Sequence, residues 1–167
     1  FISISDDSWI NYVFRAESYY DLIACAAIAS QYEWLNIEVF NDITVTSNLT
    51  LPENTHINLY GQDMEEMEFV VRSDATLTLN GGMYVGNNAR LTVMNHATLC
   101  NNADIHVEGG VVDVQGEYTS DSDRVITVDI FNGEVNNAPY EFYASIDSFE
   151  MLYEVLWYVQ NMDVQAP

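Results

Sequence analysis

Pairs of apolar residues separated by one polar residue recur along the middle of the chain. Residues 75–116 align in three lines of fourteen: ATLTLNGGMYVGNN, ARLTVMNHATLCNN and ADIHVEGGVVDVQG. Alternation with a period of two predicts short strands that bury one face. Residues 41–54 fit the same frame, and so do residues 55–74 once the segment DMEEME (63–68) is set aside as an insertion. The pattern therefore predicts five coils of fourteen residues.

The buried positions of this alignment form two columns. The first column contains Ile43/Val45, Ile57/Leu59, Leu77/Leu79, Leu91/Val93 and Ile105/Val107. The second contains Leu49/Leu51, Phe69/Val71, Met83/Val85 and Ala97/Leu99, and in the fifth coil Val111 competes with Val112 and Val114. Glycine and asparagine between the strands tolerate the positive φ angles of sharp turns. Equivalent columns holding equivalent residues favour a parallel β-solenoid over a meander of hairpins or a sandwich.

The segment before the coils has the pattern of a helix. Ser18 followed by Asp21 resembles a capping box, and residues 19–30 are rich in helix-forming residues. Leu22, Ile23, Ala26 and Ala29 fall on one side at spacings of three and four. We expect this helix to cover the N-terminal end of the stack, where strand edges and apolar groups need protection.

A second helix is predicted after Pro139. Asp147 or Ser148 is its expected N-cap, and Phe149, Leu152, Leu156 and Val159 form an apolar stripe. The predicted organisation is residues 1–36 as an N-terminal segment and capping helix, 37–139 as the solenoid and 140–167 as the C-terminal helix.

The two ends of the chain resemble each other. YVFRA at residues 12–16 matches YEFYA at 140–144 at an offset of 128, and the helical segments then match at an offset of 130. One interpretation is a longer tandem repeat of helix plus solenoid, with the C-terminal helix beginning the next unit. The other is that two similar amphipathic helices cap the two ends.

The composition limits the partners. The formal net charge is −22, and the four basic residues are all arginines (Arg15, Arg72, Arg90 and Arg124). Nucleic-acid phosphates and anionic lipids would be repelled, so neutral glycans, basic proteins or divalent cations are the plausible partners. If the chain is one module of a multi-module surface protein, other modules and cell-surface components are expected partners as well. The sequence contains no apolar run long enough to span a bilayer. Cys25 and Cys100 fit no metal-site spacing, and we interpret them as small apolar residues, with a disulfide between them as the alternative.

The run NDITVTSNLTLPENTHINLYG, with the later ATLTLNGG and GGVVDVQG, resembles the opening coils of the pectate-lyase-like parallel β-helix superfamily. It resembles more closely the β-helical modules of bacterial and archaeal adhesin-like surface proteins. The resemblance covers roughly residues 17–137. The resemblance implies a parallel β-helix fold and an extracellular location at the cell surface. Enzymatic members of the superfamily use a basic residue beside carboxylates.

That chemistry has few candidates in this sequence. Arg72 and Arg90 fall in different columns, and an arginine base would need unusual activation because of its high pKa. Asp113 is the main candidate acid, and no acids stack in adjacent coils as glycosidase chemistry requires. The three histidines, His56, His96 and His106, do not cluster in the predicted register. We therefore expect no catalytic residues, no cofactor site and no enzyme.

Two ligand hypotheses remain. Asp121 and Asp123, in an acidic loop predicted over residues 117–124, are calcium candidates, since hard cations favour carboxylate oxygens. Tyr60 and Tyr84 are the candidate ligand residues because an exposed aromatic ring can stack on a sugar. The expected function is a non-catalytic structural or adhesive module of an extracellular multi-module surface protein. The alternatives are a carbohydrate-binding module that uses an exposed strand face and, third, a polysaccharide lyase or hydrolase relative.

Overall fold

The chain folds mostly into parallel β-sheets, with two helices. The computed structural model describes residues 2–4, 12–62, 64–144 and 149–165. Strands are numbered in chain order. Sheet A contains β1 (Ile2–Ile4), β2 (Tyr12–Ala16), β3 (Leu35–Val39), β6 (Thr55–Leu59), β9 (Gly82–Val85), β12 (Ile105–Val107), β15 (Ile126–Asp129) and β17 (Tyr140–Tyr143).

Two further sheets are parallel throughout. Sheet B contains β4 (Ile43–Val45), β7 (Met67–Val71), β10 (Ala89–Val93), β13 (Val111–Val114) and β16 (Glu134–Asn136). Sheet C contains β5 (Leu49–Leu51), β8 (Thr76–Leu79), β11 (Thr98–Asn101) and β14 (Glu117–Thr119). In sheet A, β1 runs antiparallel to β2 and the other pairs are parallel. From β3 to β16 the chain enters sheets A, B and C in turn, which is consistent with the predicted all-β parallel solenoid.

The predicted coil of fourteen residues is wrong. Met83 pairs with Ile105 in sheet A, and Leu77 pairs with Leu99 in sheet C, so these coils advance by 22 residues. Inward-facing pairs recur about every seven residues, and three of them make one coil. A frame of fourteen therefore aligns every second strand, so that Ile43, Ile57 and Leu77, placed in one column, belong to sheets B, A and C.

The inward and outward directions of the side chains were predicted correctly. Every residue of the two predicted columns is buried, and these residues form one continuous apolar core. In β13, Val112 and Val114 face inward, whereas Val111 is partly exposed. Alternation decides which side of a strand faces the core, whatever the number of strands per coil, because it depends on the pleat alone.

Two predicted loops are shorter than expected. The insertion at residues 63–68 ends earlier, because Met67 is buried and β7 begins there, paired with Ala89 of β10. The acidic loop predicted at residues 117–124 starts only after Thr119, because Glu117–Thr119 form β14 and pair with β11. In both segments strand pairing extends into residues whose polarity is typical of loops.

Helix α1 (Tyr19–Ile28) covers one end of the stack, followed by a short 3-10 helix at Ala29–Gln31. The Ser18 hydroxyl accepts a hydrogen bond from the Asp21 amide, and the Asp21 carboxylate accepts one from the Glu17 amide at 2.8 Å. This confirms the N-cap, with the return bond reaching one residue further back than in a capping box. The helix packs on β2, β4 and β5, and the last two are the terminal strands of sheets B and C.

The buried side of α1 differs from the predicted stripe. Leu22, Cys25 and Ala29 are fully buried, whereas Ile23 is 41% exposed. The free Cys25 thiol is part of this contact, and burial raises its pKa to about 12. Cys100 is also a free thiol and is half-buried, so the alternative of a disulfide between the two is wrong.

Helix α2 (Phe149–Gln165) follows β17, and its predicted N-cap, Asp147 or Ser148, lies outside the described residues. Its predicted apolar stripe is not a buried surface. Phe149 is 81% exposed, Leu156 53% and Val159 40%, while Leu152 is half-buried. The Tyr158 ring lies 5.8 Å from the ring of Phe131.

Candidate functional site

The outward side of sheet A has a continuous row of rings, which we call the aromatic ladder. Centroid separations along it are 5.4, 5.8, 6.0 and 4.4 Å, joining Phe40, Tyr60, Tyr84, His106 and Tyr143 in that order. The Arg15 guanidinium lies 4.7 Å from the Phe40 ring and extends the row at the N-terminal end. The two tyrosines proposed from the sequence as ligand residues are thus adjacent members of this ladder.

The ladder depends on one glycine. Tyr60 follows β6 and Tyr84 lies within β9, so they are not paired directly, and the residue opposite Tyr60 is Gly86. A Cβ at Gly86 would lie 2.8 Å from Tyr84 Cε1 and 3.1 Å from Tyr60 Cδ1. The absence of a side chain therefore allows the Tyr84 ring to lean towards Tyr60 and close the row.

Carboxylates lie along the ladder and act on its hydroxyl groups. Burial raises the pKa of Tyr60 and Tyr84, and Glu38 and Glu108 respectively add to the effect. Burial also raises the pKa of Tyr143 to about 12, with Glu108 and Asp129 contributing. The Tyr84 hydroxyl donates to Glu108 Oε2 at 3.3 Å. These hydroxyls stay protonated at neutral pH.

Two of the four ring pairs in the ladder are stacked, and the other two are tilted. The Phe40–Tyr60 pair has an interplanar angle of 23° and the Tyr84–His106 pair one of 14°. Stacked rings bury their faces against one another and present edges and polar atoms to solvent. A sugar ring stacks on an aromatic face, so the ladder is arranged for contacts within the protein more than for contacts with a ligand.

A second feature is a polar groove where sheet C connects to sheet A, which we call the Trp34 groove. Its cavity has a volume of about 410 Å³. It is lined by Trp34, Glu53, His56, Asn80, Gly81, Gly82, Asn102, Ala103, Asp104 and Arg124. Trp34 is 40% exposed, and its ring centroid lies 6.3 Å from that of His56.

Strand register explains why these residues meet. Asn36, His56 and Gly82 are consecutive partners across β3, β6 and β9, and Gly82 leaves a notch in the row. A Cβ at Gly82 would lie 2.8 Å from His56 Cδ2. Trp34 Nε1 donates to Asn36 Oδ1 at 3.2 Å, which orients the indole beside the notch.

The other polar side chains of the groove are two amides, the Glu53 carboxylate and one ion pair. Asn102 Nδ2 donates to Asn80 Oδ1 at 3.0 Å, so these two side chains hydrogen-bond from one coil to the next. Arg124 Nη1 donates to Asp104 Oδ1 at 2.6 Å on the far wall. Burial lowers the pKa of His56, so its imidazole is neutral at pH 7 and offers both a donor and an acceptor.

The sequence analysis did not identify this groove. The sequence pattern assigned no role to Trp34, Asp104 or Arg124. Asn80 and Asn102 lie 22 residues apart, which is the length of one coil here, so they occupy neighbouring positions in the stack. Once the coil length is known, that spacing places these residues in one row.

The calcium candidates are engaged in the protein or lie at a strained turn. Asp121 Oδ2 accepts from Asn102 Nδ2 at 3.3 Å, and Asp123 has φ of 55°. In the described residues, no group of three or more His, Cys, Asp or Glu is arranged to hold a metal ion. Thermal unfolding with calcium and with chelator tests calcium binding at Asp121 and Asp123, because a bound ion would raise the melting temperature.

The candidate acid and base from the sequence form an ion pair with each other. Arg90 Nη2 lies 3.2 Å from Asp113 Oδ2, and Gln115 Nε2 donates to the same oxygen at 3.2 Å. Both charged side chains are partly buried on the outward side of sheet B, where Arg90 is paired with Val111. Arg72 is not part of this pair.

Comparison with known proteins gives no relatives: no family model, curated protein or solved structure matches the chain. Neither described helix is long and apolar enough to cross a lipid bilayer.

Proposed function

We propose that this chain is a non-catalytic parallel β-helix with three strands per coil, acting as a spacer or adhesive module of an extracellular multi-module surface protein. The aromatic ladder supports this most strongly. Four ring contacts link Phe40 to Tyr143 along sheet A, two of them stacked and two tilted. A row of this kind stabilises the stack along its length, which is the property that a spacer needs.

The candidate catalytic pair agrees with this role. Asp113 is bonded to Arg90 and Gln115 across neighbouring positions of sheet B. The guanidinium and the carboxylate contact each other on the outward side of sheet B. The Arg90–Asp113 pair is better suited to linking β10 to β13.

The role of the ladder is tested by replacing Tyr84 with alanine. If the ladder is structural, the Tyr84→Ala change should lower the free energy of unfolding by roughly 1–3 kcal/mol, because contacts with two rings are lost. Urea denaturation measures this loss. Tyr20→Ala is the control, since Tyr20 is exposed and lies outside the ladder. An unchanged stability with loss of a binding activity would instead make the ladder a ligand site.

The Trp34 groove favours a second candidate function, binding of a neutral saccharide. A partly exposed indole, amides, an imidazole and an ion pair around one notch are the groups that recognise sugar hydroxyls and the apolar face of a sugar ring. The net charge of −22 disfavours uronic acids and sulfated chains.

A glycan array with the wild type and Trp34→Ala distinguishes the two functions. Saturable binding to one neutral glycan class that disappears in Trp34→Ala, but persists in Tyr20→Ala, would make the chain a carbohydrate-binding module. Absence of binding across the array supports the spacer role. Release of reducing ends from pectin or another polysaccharide by the wild type would overturn both.

A further inference from the structure

The chain contains two strand–helix units of the same design. β2 leads into α1 and β17 leads into α2, and both strands lie in sheet A, parallel to the neighbouring coil. Their sequences correspond, with Tyr12 and Phe14 matching Tyr140 and Phe142. The surroundings differ, because Tyr12 and Phe14 pack against the core whereas Tyr140 is 47% exposed and Phe142 40% exposed.

The helices correspond in the positions that matter for docking. The fully buried residues of α1 and of the 3-10 helix that follows it are Leu22, Cys25 and Ala29, and an offset of 130 maps them onto Leu152, Val155 and Val159. All three equivalents in α2 are apolar. The α1 set is covered by β4 and β5, while Leu152 and Val155 are half-buried and Val159 is 40% exposed.

The strand edges differ in the same way. β2 has β1 on one side and β3 on the other. β17 pairs with β15 and, within the described residues, is the last strand of sheet A. An unpaired edge beside an uncovered apolar helix is the surface that a further coil would occupy.

We propose that β17 and the Leu152–Val155–Val159 side of α2 form a docking site for the first coil of another unit of this kind. In that arrangement β3 of the next unit adds to the free edge of β17, and its β4 and β5 pack on α2. The occupant is specified by α1, which covers such a coil in this chain. The proposal rests on the proposed spacer role and assigns the contact by which one module continues into the next.

The test is a direct fusion of residues 1–164 to residues 35–167 of a second copy. This joint places Leu152 as many residues before Leu35 of the second copy as Leu22 lies before Leu35 within one copy. The second copy then lacks its own β2 and α1 and depends on β17 and α2 for cover. We expect one folded species with nearly twice the β-sheet signal of a single chain, since the second copy lacks only β1 and β2 among the described strands. A second copy that stays unfolded would overturn the proposal.

Disulfide trapping checks the register in the same fusion, with both Cys100 residues changed to serine. Val13 pairs with Asn36, so Glu141 should pair with Asn36 of the second copy. Glu141→Cys combined with Asn36→Cys should form a bridge under mild oxidation, because paired strands bring Cα atoms within disulfide range. Glu141→Cys combined with Thr44→Cys, which lies in sheet B, should not. Equal bridging in both pairs would overturn the proposal.

A change in α2 separates docking from general destabilisation. Val159→Asp should leave the melting temperature of the single chain unchanged but lower that of the fusion, since Val159 becomes buried there. Tyr153→Asp is the control, because Tyr153 matches Ile23, which is exposed on α1. Equal effects of Val159→Asp in both contexts would contradict the docking contact. If the wild-type chain cleaves a polysaccharide, the proposed function is wrong. The docking site would still be supported in that case if the fusion forms the expected bridge.

Discussion

At the scale of single residues, the pattern of burial is decided by one-residue alternation. Leu79 is fully buried in β8, while Thr78 next to it faces outward between Thr50 and Cys100. Leu79→Ala should lower the free energy of unfolding by about 2–5 kcal/mol, since it leaves a cavity in a close-packed core. Thr78→Ala should cost less than about 1 kcal/mol. Urea denaturation of the two variants compares them, and equal losses would contradict the assigned directions.

A second prediction at this scale concerns Tyr143 at alkaline pH. Burial, Glu108 and Asp129 raise the pKa of Tyr143 to about 12, above the ordinary value of 10. Between these values the unfolded chain loses the Tyr143 proton while the folded chain keeps it. The stability contributed below pH 10 is therefore lost as pH rises towards 12. Urea denaturation at pH 9 and at pH 11.5 should show a smaller fall for Tyr143→Phe than for the wild type. The Cys25 thiol is present in both proteins, so it contributes equally to both falls. Identical falls would therefore mean that the Tyr143 hydroxyl does not contribute to the loss of stability.

At the scale of elements, the sequence predicts individual strands well and their assembly poorly. Each strand is short, and the inward pairs of all three sheets are drawn from the same aliphatic residues, as Ile43, Ile57 and Leu77 illustrate. Nothing in such a pair tells whether its neighbour lies 14 or 22 residues away. The Trp34 groove was missed for the same reason, because its residues meet only when three strands make a coil.

The helices show the same limit. Spacing predicts that an apolar stripe exists, yet the partner decides which residues it buries. On α1 the end of the stack buries Cys25, whereas Ile23 stays exposed. Helix α2 has a comparable stripe that the described strands leave largely exposed, so the stripe alone predicts a helix without predicting a contact.

The docking of α1 can be followed through its thiol. Cys25 is buried with a pKa of about 12, so in the folded protein it should resist a thiol-specific reagent at pH 8. In a Cys100→Ser background, Leu22→Ala should raise the labelling rate of Cys25 at least about tenfold, because a lost leucine contact favours local opening. Ile23→Ala, on the exposed side, is the matched control. Equal labelling rates in the two variants would argue that α1 is not held through Leu22.

At the scale of the whole molecule, charge opposes the compact state. The net charge is −22. Three ion pairs with arginine occur in the described residues, and all are at least partly exposed: Arg15–Glu17, Arg90–Asp113 and Arg124–Asp104. Exposed pairs contribute about 0–1 kcal/mol each. Repulsion among the excess carboxylates acts over the full length of the stack, so it should outweigh these few attractions.

Low concentrations of sodium chloride should therefore stabilise the protein. Raising the ionic strength from about 0.01 M to about 0.15 M shortens the screening length from roughly 30 Å to roughly 8 Å, which removes long-range repulsion first. The melting temperature should rise, by about 2–4 °C for each kcal/mol of repulsion screened in a chain of this length. An equal concentration of a neutral osmolyte is the control, because it changes water activity without screening. A melting temperature that falls with salt would mean that the few arginine pairs dominate, and that the acidic surface is not a cost to this fold.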